Sequence, residues 1–284
     1  MRISVSDYSF SNYRRATGAG YEQICAKAKE IGFEGIEFTD LSGPNPEKTA
    51  ESCRVYCEKI GLPIVSYTVG ANFLSDSLSE EIEKVEKRVD VAAILGVSVM
   101  RHDAAFSLKD KAGYTWEDGI KDMADAIREV TCYAAEKGIR TCTENHGFIY
   151  QDSERVEALI REVNHPNYGW LVDIGNFLCA GEDSVKAVKR AAPYAFHVHA
   201  KDFLFKAKNS VDPAPEGFFR NRDGDFLRGT ILGHGVIEIK SCVKLLEKAG
   251  YNGWYSLEFE GLEDNLTALS MGMNYLRVIR EFLN

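Results

Sequence analysis

One pattern recurs along the chain: a stretch of helical periodicity, a glycine, then a short run rich in β-branched and aromatic residues. Copies fall at residues 28–37, 58–66, 94–101, 136–144 and 248–258, with the glycine at Gly32, Gly61, Gly96, Gly138 and Gly250. A glycine just past a helix end takes the left-handed conformation that closes the helix. The runs that follow suit strands buried on both faces. Three further runs, at 3–8, 168–173 and 195–199, bring the strands to eight. Between them lie amphipathic segments at 80–95, 117–136, 153–163 and 264–282; in the first, Ile82, Val85, Val89, Ala92 and Ala93 recur at helical spacing. Eight strands alternating with helices, without a linker-like break, predict an α/β fold of one domain, a closed (β/α)8 TIM barrel spanning residues 1–284. An open doubly wound sheet fits less well, because no Gly-rich phosphate turn follows the first strand.

Residues 203–232 depart from the module. They read as a long polar loop inserted after the seventh strand. On a barrel such a loop lies over the C-terminal face, where substrates bind, and a lid is the expected role.

Composition narrows the function classes. The 284 residues carry 34 Lys and Arg against 43 Asp and Glu, a net charge of −9. That balance argues against sequence-independent nucleic-acid binding and against docking on anionic membranes. Seven scattered cysteines, an odd number without paired spacing, fit reduced thiols and a cytoplasmic protein. Cys53 and Cys57 share a helix, with no second Cys or His pair to complete a zinc site. No apolar targeting stretch opens the sequence and no later segment approaches a membrane span, so a soluble protein is expected.

Four of the predicted strands end in a carboxylate or an imidazole: Glu144, Asp173, His199 and Glu258. Any one alone is more commonly a cap or an ion-pair partner. Together they close strands five to eight, and every strand of a parallel barrel opens its C-terminal end onto one face. Burying these charges side by side is costly without a shared counter-charge, for which one divalent cation is the simplest candidate. Three oxygen donors and an imidazole suit Mn2+, placed first here, with Mg2+, Co2+ or Zn2+ as alternatives; the lack of thiolate donors removes any bias toward softer ions. Of the two histidines in residues 197–199, His199 is taken as the one entering the barrel and His197 as packed outward against a helix. His102, at the end of strand four, and His146, just after Glu144, are candidates for the substrate side of the site, as are Lys201 and Arg228.

The segments Thr143-Glu-Asn-His-Gly147, Val172-Asp-Ile-Gly-Asn176, His197-Val-His-Ala-Lys-Asp202, Arg228-Gly-Thr-Ile-Leu-Gly-His-Gly235 and Ser256-Leu-Glu258 resemble the sugar phosphate isomerase/epimerase superfamily of xylose-isomerase-like barrels. The resemblance covers nearly the whole chain and implies one metal held by Glu144, Asp173, His199 and Glu258. It further implies that Glu144 and Glu258 serve as catalytic acid and base, and that Arg228 contacts substrate. Asn176 stands where ketose 3-epimerases carry a substrate-binding His and where endonuclease IV carries a metal-binding one; the latter's trinuclear site also needs an Asp-x-His pair that is absent. DNA repair is therefore disfavoured. The expected activity is a metal-dependent isomerase or epimerase acting on a keto-sugar or related polyol through an enediolate. The alternatives are a lyase or dehydratase on keto-sugars or 3-oxo-glycosides, and a non-catalytic sugar-binding barrel. A C-glycoside-cleaving lyase would bring a small partner subunit; otherwise a homo-oligomer with a small-molecule sugar substrate fits the resemblance.

Overall fold

Eight parallel strands close on themselves in a computed structural model that describes residues 1–41, 43–210 and 216–283. In chain order the strands are β1 (Arg2–Ser6), β2 (Gly35–Thr39), β3 (Ile64–Val69), β4 (Val99–His102), β5 (Arg140–Glu144), β6 (Tyr168–Asp173), β7 (Ala195–Ala200), β8 (Asp202–Lys206), β9 (Phe219–Arg220), β10 (Phe226–Thr230) and β11 (Trp254–Leu257). β1 to β7 pair in sequence, and β11 closes the ring between β7 and β1. Ile3 lies opposite Tyr255 across one seam and His199 opposite Ser256 across the other. The helix expected at 153–163 is found at Ser153–Val163, and the other three at Leu78–Leu95, Trp116–Glu136 and Asn265–Leu283. Trp116–Glu136 starts one residue ahead of the expected 117, where Thr115 and Asp118 cap each other's backbone amides.

The two sides of the barrel wall differ in chemistry. On the outer side Tyr67, Trp170, Tyr255, Phe38 and Ile3 pack beneath the helices and are fully buried. That layer is the hydrophobic core. Alternation along each strand turns the other set of side chains into the lumen. There Ser4 and Ser256 share a 2.7 Å contact, and Glu37, Ser66, Arg101 and His197 are all buried. A small apolar cluster, Val99, Cys142 and Leu171 beside Phe196, fills part of the interior.

The segment expected as a loop contains a small three-stranded sheet. β8, β10 and β9 pair antiparallel in that order, with Phe203 opposite Gly229, while residues 211–215 lie outside those described. Its strands are short and partly exposed, so charged residues interrupt the apolar runs that mark the barrel strands. The sheet does lie toward the C-terminal face: Arg222 pairs with Asp152 at 2.7 Å, and Asn221 donates to the carbonyl of Leu178, both beyond strand ends.

Asp202 anchors the root of this sheet. Its carboxylate accepts hydrogen bonds from the amides of Phe203, Gly233, Gly235 and Ile237 at 2.9–3.1 Å. A Cβ on Gly235 would collide with that carboxylate, so the turn needs glycine there. Asp202→Ala strands these donors and is expected to lower the unfolding free energy by about 3 kcal/mol. Urea denaturation measures this; a loss below about 1 kcal/mol would mean that other acceptors hold the turn. All seven thiols are free. Among the described residues no helix is long and apolar enough to cross a membrane.

Candidate metal centre

The C-terminal ends of β5, β6 and β7, and the residue after β11, bring Glu144, Asp173, His199 and Glu258 together. Nδ1 of His199 lies 3.6 Å from Glu144 Oε1, 3.8 Å from Asp173 Oδ2 and 3.6 Å from Glu258 Oε2. One donor atom from each residue falls within 4.8 Å of all the others. Two of these atoms, His199 Nδ1 and Asp173 Oδ2, are buried and make no hydrogen bond, although the Lys201 ammonium stands 3.3 Å from the latter. Buried polar atoms ordinarily find partners, and orphans aimed at one point fit a divalent cation. The remaining atoms hold the donors still. Asp173 Oδ1 accepts the amides of Gly175 and Asn176 at 2.8 and 2.9 Å. Asn145 clasps the Asp173 backbone from both sides and also accepts the indole proton of Trp170.

Fixed cations surround the carboxylates. Arg101 contacts Glu144 Oε2 at 2.6 Å and Asp103 at 2.7 Å. Lys201 Nζ lies 2.5 Å from Glu258, 3.3 Å from Asp173 and 3.2 Å from Glu260. Burial pushes the Glu144 pKa up, but the Arg101 guanidinium and His199 outweigh it and bring it to about 2. The same contest, won by Lys201 and His199, holds Glu258 well below the usual carboxylate range. For Asp173 burial prevails, reinforced by the neighbouring glutamates against Lys201, and its pKa rises to about 7. Burial opposes the charge on Lys201, yet Asp173, Glu258 and Glu260 keep it firmly protonated.

Several residues picked from sequence join this cluster. Asn176 donates to Glu144 Oε1 at 3.0 Å, and Lys201 reaches within 3.4 Å of its side-chain oxygen. His146 stands half-exposed at the rim, its Nδ1 3.0 Å from Asp103, and so connects through Arg101 to Glu144. Others lie elsewhere. His102 faces the helix layer, stacked on Tyr168 and edge-on to Phe73, with Nδ1 donating to the carbonyl of Asp103. Arg228, on β10, pairs with Glu263 at 3.3 Å and lies over the ring of Phe218. The outward placement of His197 is overturned: residues two apart on a strand share a face. Its ring enters the lumen beside that of His199, and its Nε2 meets Glu37 at 2.8 Å. Glu37, Arg101 and Asp103 are the residues the sequence reading missed. Glu37 closes a glycine-led run in the sequence just as Glu144 does, so the same criterion applied to strand two would have found it, whereas Arg101, a guanidinium, falls outside that criterion.

The family model for xylose isomerase-like TIM barrels matches residues 25–279. The chain belongs to that family. Among its relatives is an inosose dehydratase of Geobacillus thermodenitrificans (strain NG80-2), 26% identical over 253 residues, which cover 84% of this chain and 82% of that protein. Among solved structures, a xylose isomerase-like TIM barrel protein from Mycobacterium smegmatis in complex with magnesium superposes with a TM-score of 0.76 at 19% identity, covering 100% of this chain and 98% of that one. A D-allulose 3-epimerase from Methylomonas sp. superposes with a TM-score of 0.75 at 17% identity, covering 98% of each chain.

Proposed function

We propose that this protein is a metal-dependent dehydratase of a polyol ketone, of which an inosose is the type. The observation that carries the reading is the convergence of four donors, two of them orphaned, beside a half-exposed imidazole with its own carboxylate. The similarity to inosose dehydratase supports the substrate class. Glu144, Asp173, His199 and Glu258 would hold the ion, whose contribution is Lewis-acid polarisation of the ketone oxygen.

The chain's own groups account for the proton. Asp103 accepts the Nδ1 proton of His146, which leaves Nε2 with its lone pair toward the rim. From there it can take the proton on the carbon next to the ketone. Negative charge then develops on the ketone oxygen, close to the buried charges of Lys201 and Arg101, which need no reorganisation to stabilise it. Expulsion of the hydroxyl β to the ketone completes the step: the C–H and C–O bonds break, a C=C bond forms, and His146 returns its proton to the leaving oxygen as water. Glu144 and Glu258, held acidic by their cations, are better ligands than bases. A metal-dependent isomerase or epimerase acting on a keto-sugar is the second reading, favoured by the equal 3.6 Å placement of the two glutamates about His199.

Incubation with inososes and ketohexoses in D2O, with Mn2+ or Mg2+, separates these outcomes by product mass. Loss of water supports the dehydratase. An isobaric product carrying deuterium at the α carbon moves the assignment to the epimerase, and a released aglycone from a 3-oxo-glycoside moves it to that lyase. No product and no exchange, despite bound metal, leaves only a binding barrel. In the dehydratase, His146→Asn should lower turnover about 100-fold or more while metal content stays at the wild-type level.

A further inference from the structure

Below the four donors lies a second buried constellation that the reaction as derived does not use. Glu37 is completely buried in the lumen, one strand from the barrel's first. Its Oε1 lies 2.9 Å and its Oε2 3.1 Å from Nε2 of His199, and Oε2 lies 2.8 Å from Nε2 of His197. His197 Nε2 is also 3.0 Å from the hydroxyl of Ser256, which in turn meets Ser4. These are hydrogen-bond lengths. The same three residues stand close enough to share an ion, and it is the 2.8–3.1 Å contacts, ordinary for N–H···O, that favour the hydrogen-bonded arrangement.

We infer that Glu37 is the positioning residue of the metal centre: it fixes the tautomer and the angle of the His199 ring. A neutral imidazole carries one N–H and one bare nitrogen. Glu37 is acceptor-only when ionised, so it takes the N–H at Nε2 and leaves Nδ1 bare, and Nδ1 is the atom aimed at Glu144, Asp173 and Glu258. The bifurcated contact stops the ring from turning about χ2. His197 supplies the second donor to Glu37 and keeps its carboxylate from rotating away, which gives that histidine a role in the lumen. A carboxylate behind a ligating imidazole also raises its basicity toward a cation. The inference rests on the metal reading of the site but not on any substrate.

The test uses the full-length protein and metal affinity by chelator competition with Mn2+ and Mg2+. Glu37→Gln is expected to weaken binding about 10- to 100-fold, and Glu37→Asp to recover part of that. Nitrogen chemical shifts of the His199 ring in the Mg2+-loaded wild type should show a protonated Nε2, a readout that needs no variant and so survives a Glu37→Gln protein that fails to fold. A protonated Nδ1, or a folded Glu37→Gln protein with unchanged affinity, overturns the role of Glu37. Two equivalents of metal in the wild type with one lost in Glu37→Gln would make Glu37 a ligand instead. A wild type that takes up no metal sinks the metal reading of the whole site, a different result from unchanged binding in the variant.

Discussion

Glu258→Gln is expected to reduce kcat/KM by on the order of 1000-fold, through loss of a preorganised electrostatic group at the reacting centre. The side chain has two duties that an amide cannot perform. Its Oε2 is one of the four converging donors, 3.6 Å from His199 Nδ1, and it is also the closest partner of Lys201 at 2.5 Å. Glutamine keeps the shape but removes the charge. The cluster then attracts a cation less strongly, and Lys201 shifts its contacts to Asp173 and Glu260, which remain 3.3 and 3.2 Å away. Because those contacts persist, the variant should fold, and its metal content and steady-state rate can be compared directly with the wild type. Activity within about tenfold of wild type, with metal fully bound, would remove Glu258 from the centre.

Lys201→Met should act in the opposite sense on metal and fold. Lys201 is buried among three carboxylates, and removing one partner of a buried charge network typically costs about 3–5 kcal/mol, because the charges left behind are uncompensated. Chelator-treated Lys201→Met protein is therefore expected to unfold far more readily than the wild type. A saturating divalent cation restores positive charge at the same place, so the difference should shrink when metal is added, and the metal dissociation constant should fall. Turnover falls as well, since the charge facing the developing oxyanion is gone. Denaturation curves with and without metal decide the matter: an equal loss in both conditions would mean that Lys201 is a packing residue with no electrostatic link to the ion.

The barrel was legible because its outer strand faces and its helices obey one hydrophobic rule each. Residues 153–163 and 168–173 carry their boundaries in the local pattern, through the capping side chain of Asp152 and the apolar run that stops at Asp173. The four converging donors were legible for a related reason, since a strand end fixes depth in the barrel. What the pattern does not carry is pairing across the lumen. Glu37 and His199 are 162 residues apart and meet only because the strands close into a ring. Arg101 reads as an ordinary charge until its carboxylate partners are in place, and Lys201, picked for the substrate side, shows its three carboxylate partners only in the folded chain. The outward placement of His197 failed on strand geometry alone. β8, β9 and β10 were hidden because strands that leave one face to solvent lack the continuous apolar runs of the barrel.

The division between an apolar outer wall and a polar lumen also bears on how such a barrel can change over time. Trp170, Tyr67 and Tyr255 belong to the apolar cluster outside the ring, while Glu37, Arg101, His197 and His199 lie outside that cluster and are held by their own buried charge pairs. Substitutions in the lumen can therefore redirect the chemistry while the outer wall is kept, provided the buried charges stay paired. Function is carried by the site and not by the architecture. In this chain that separation runs along the barrel strands, alternate residues answering to different demands.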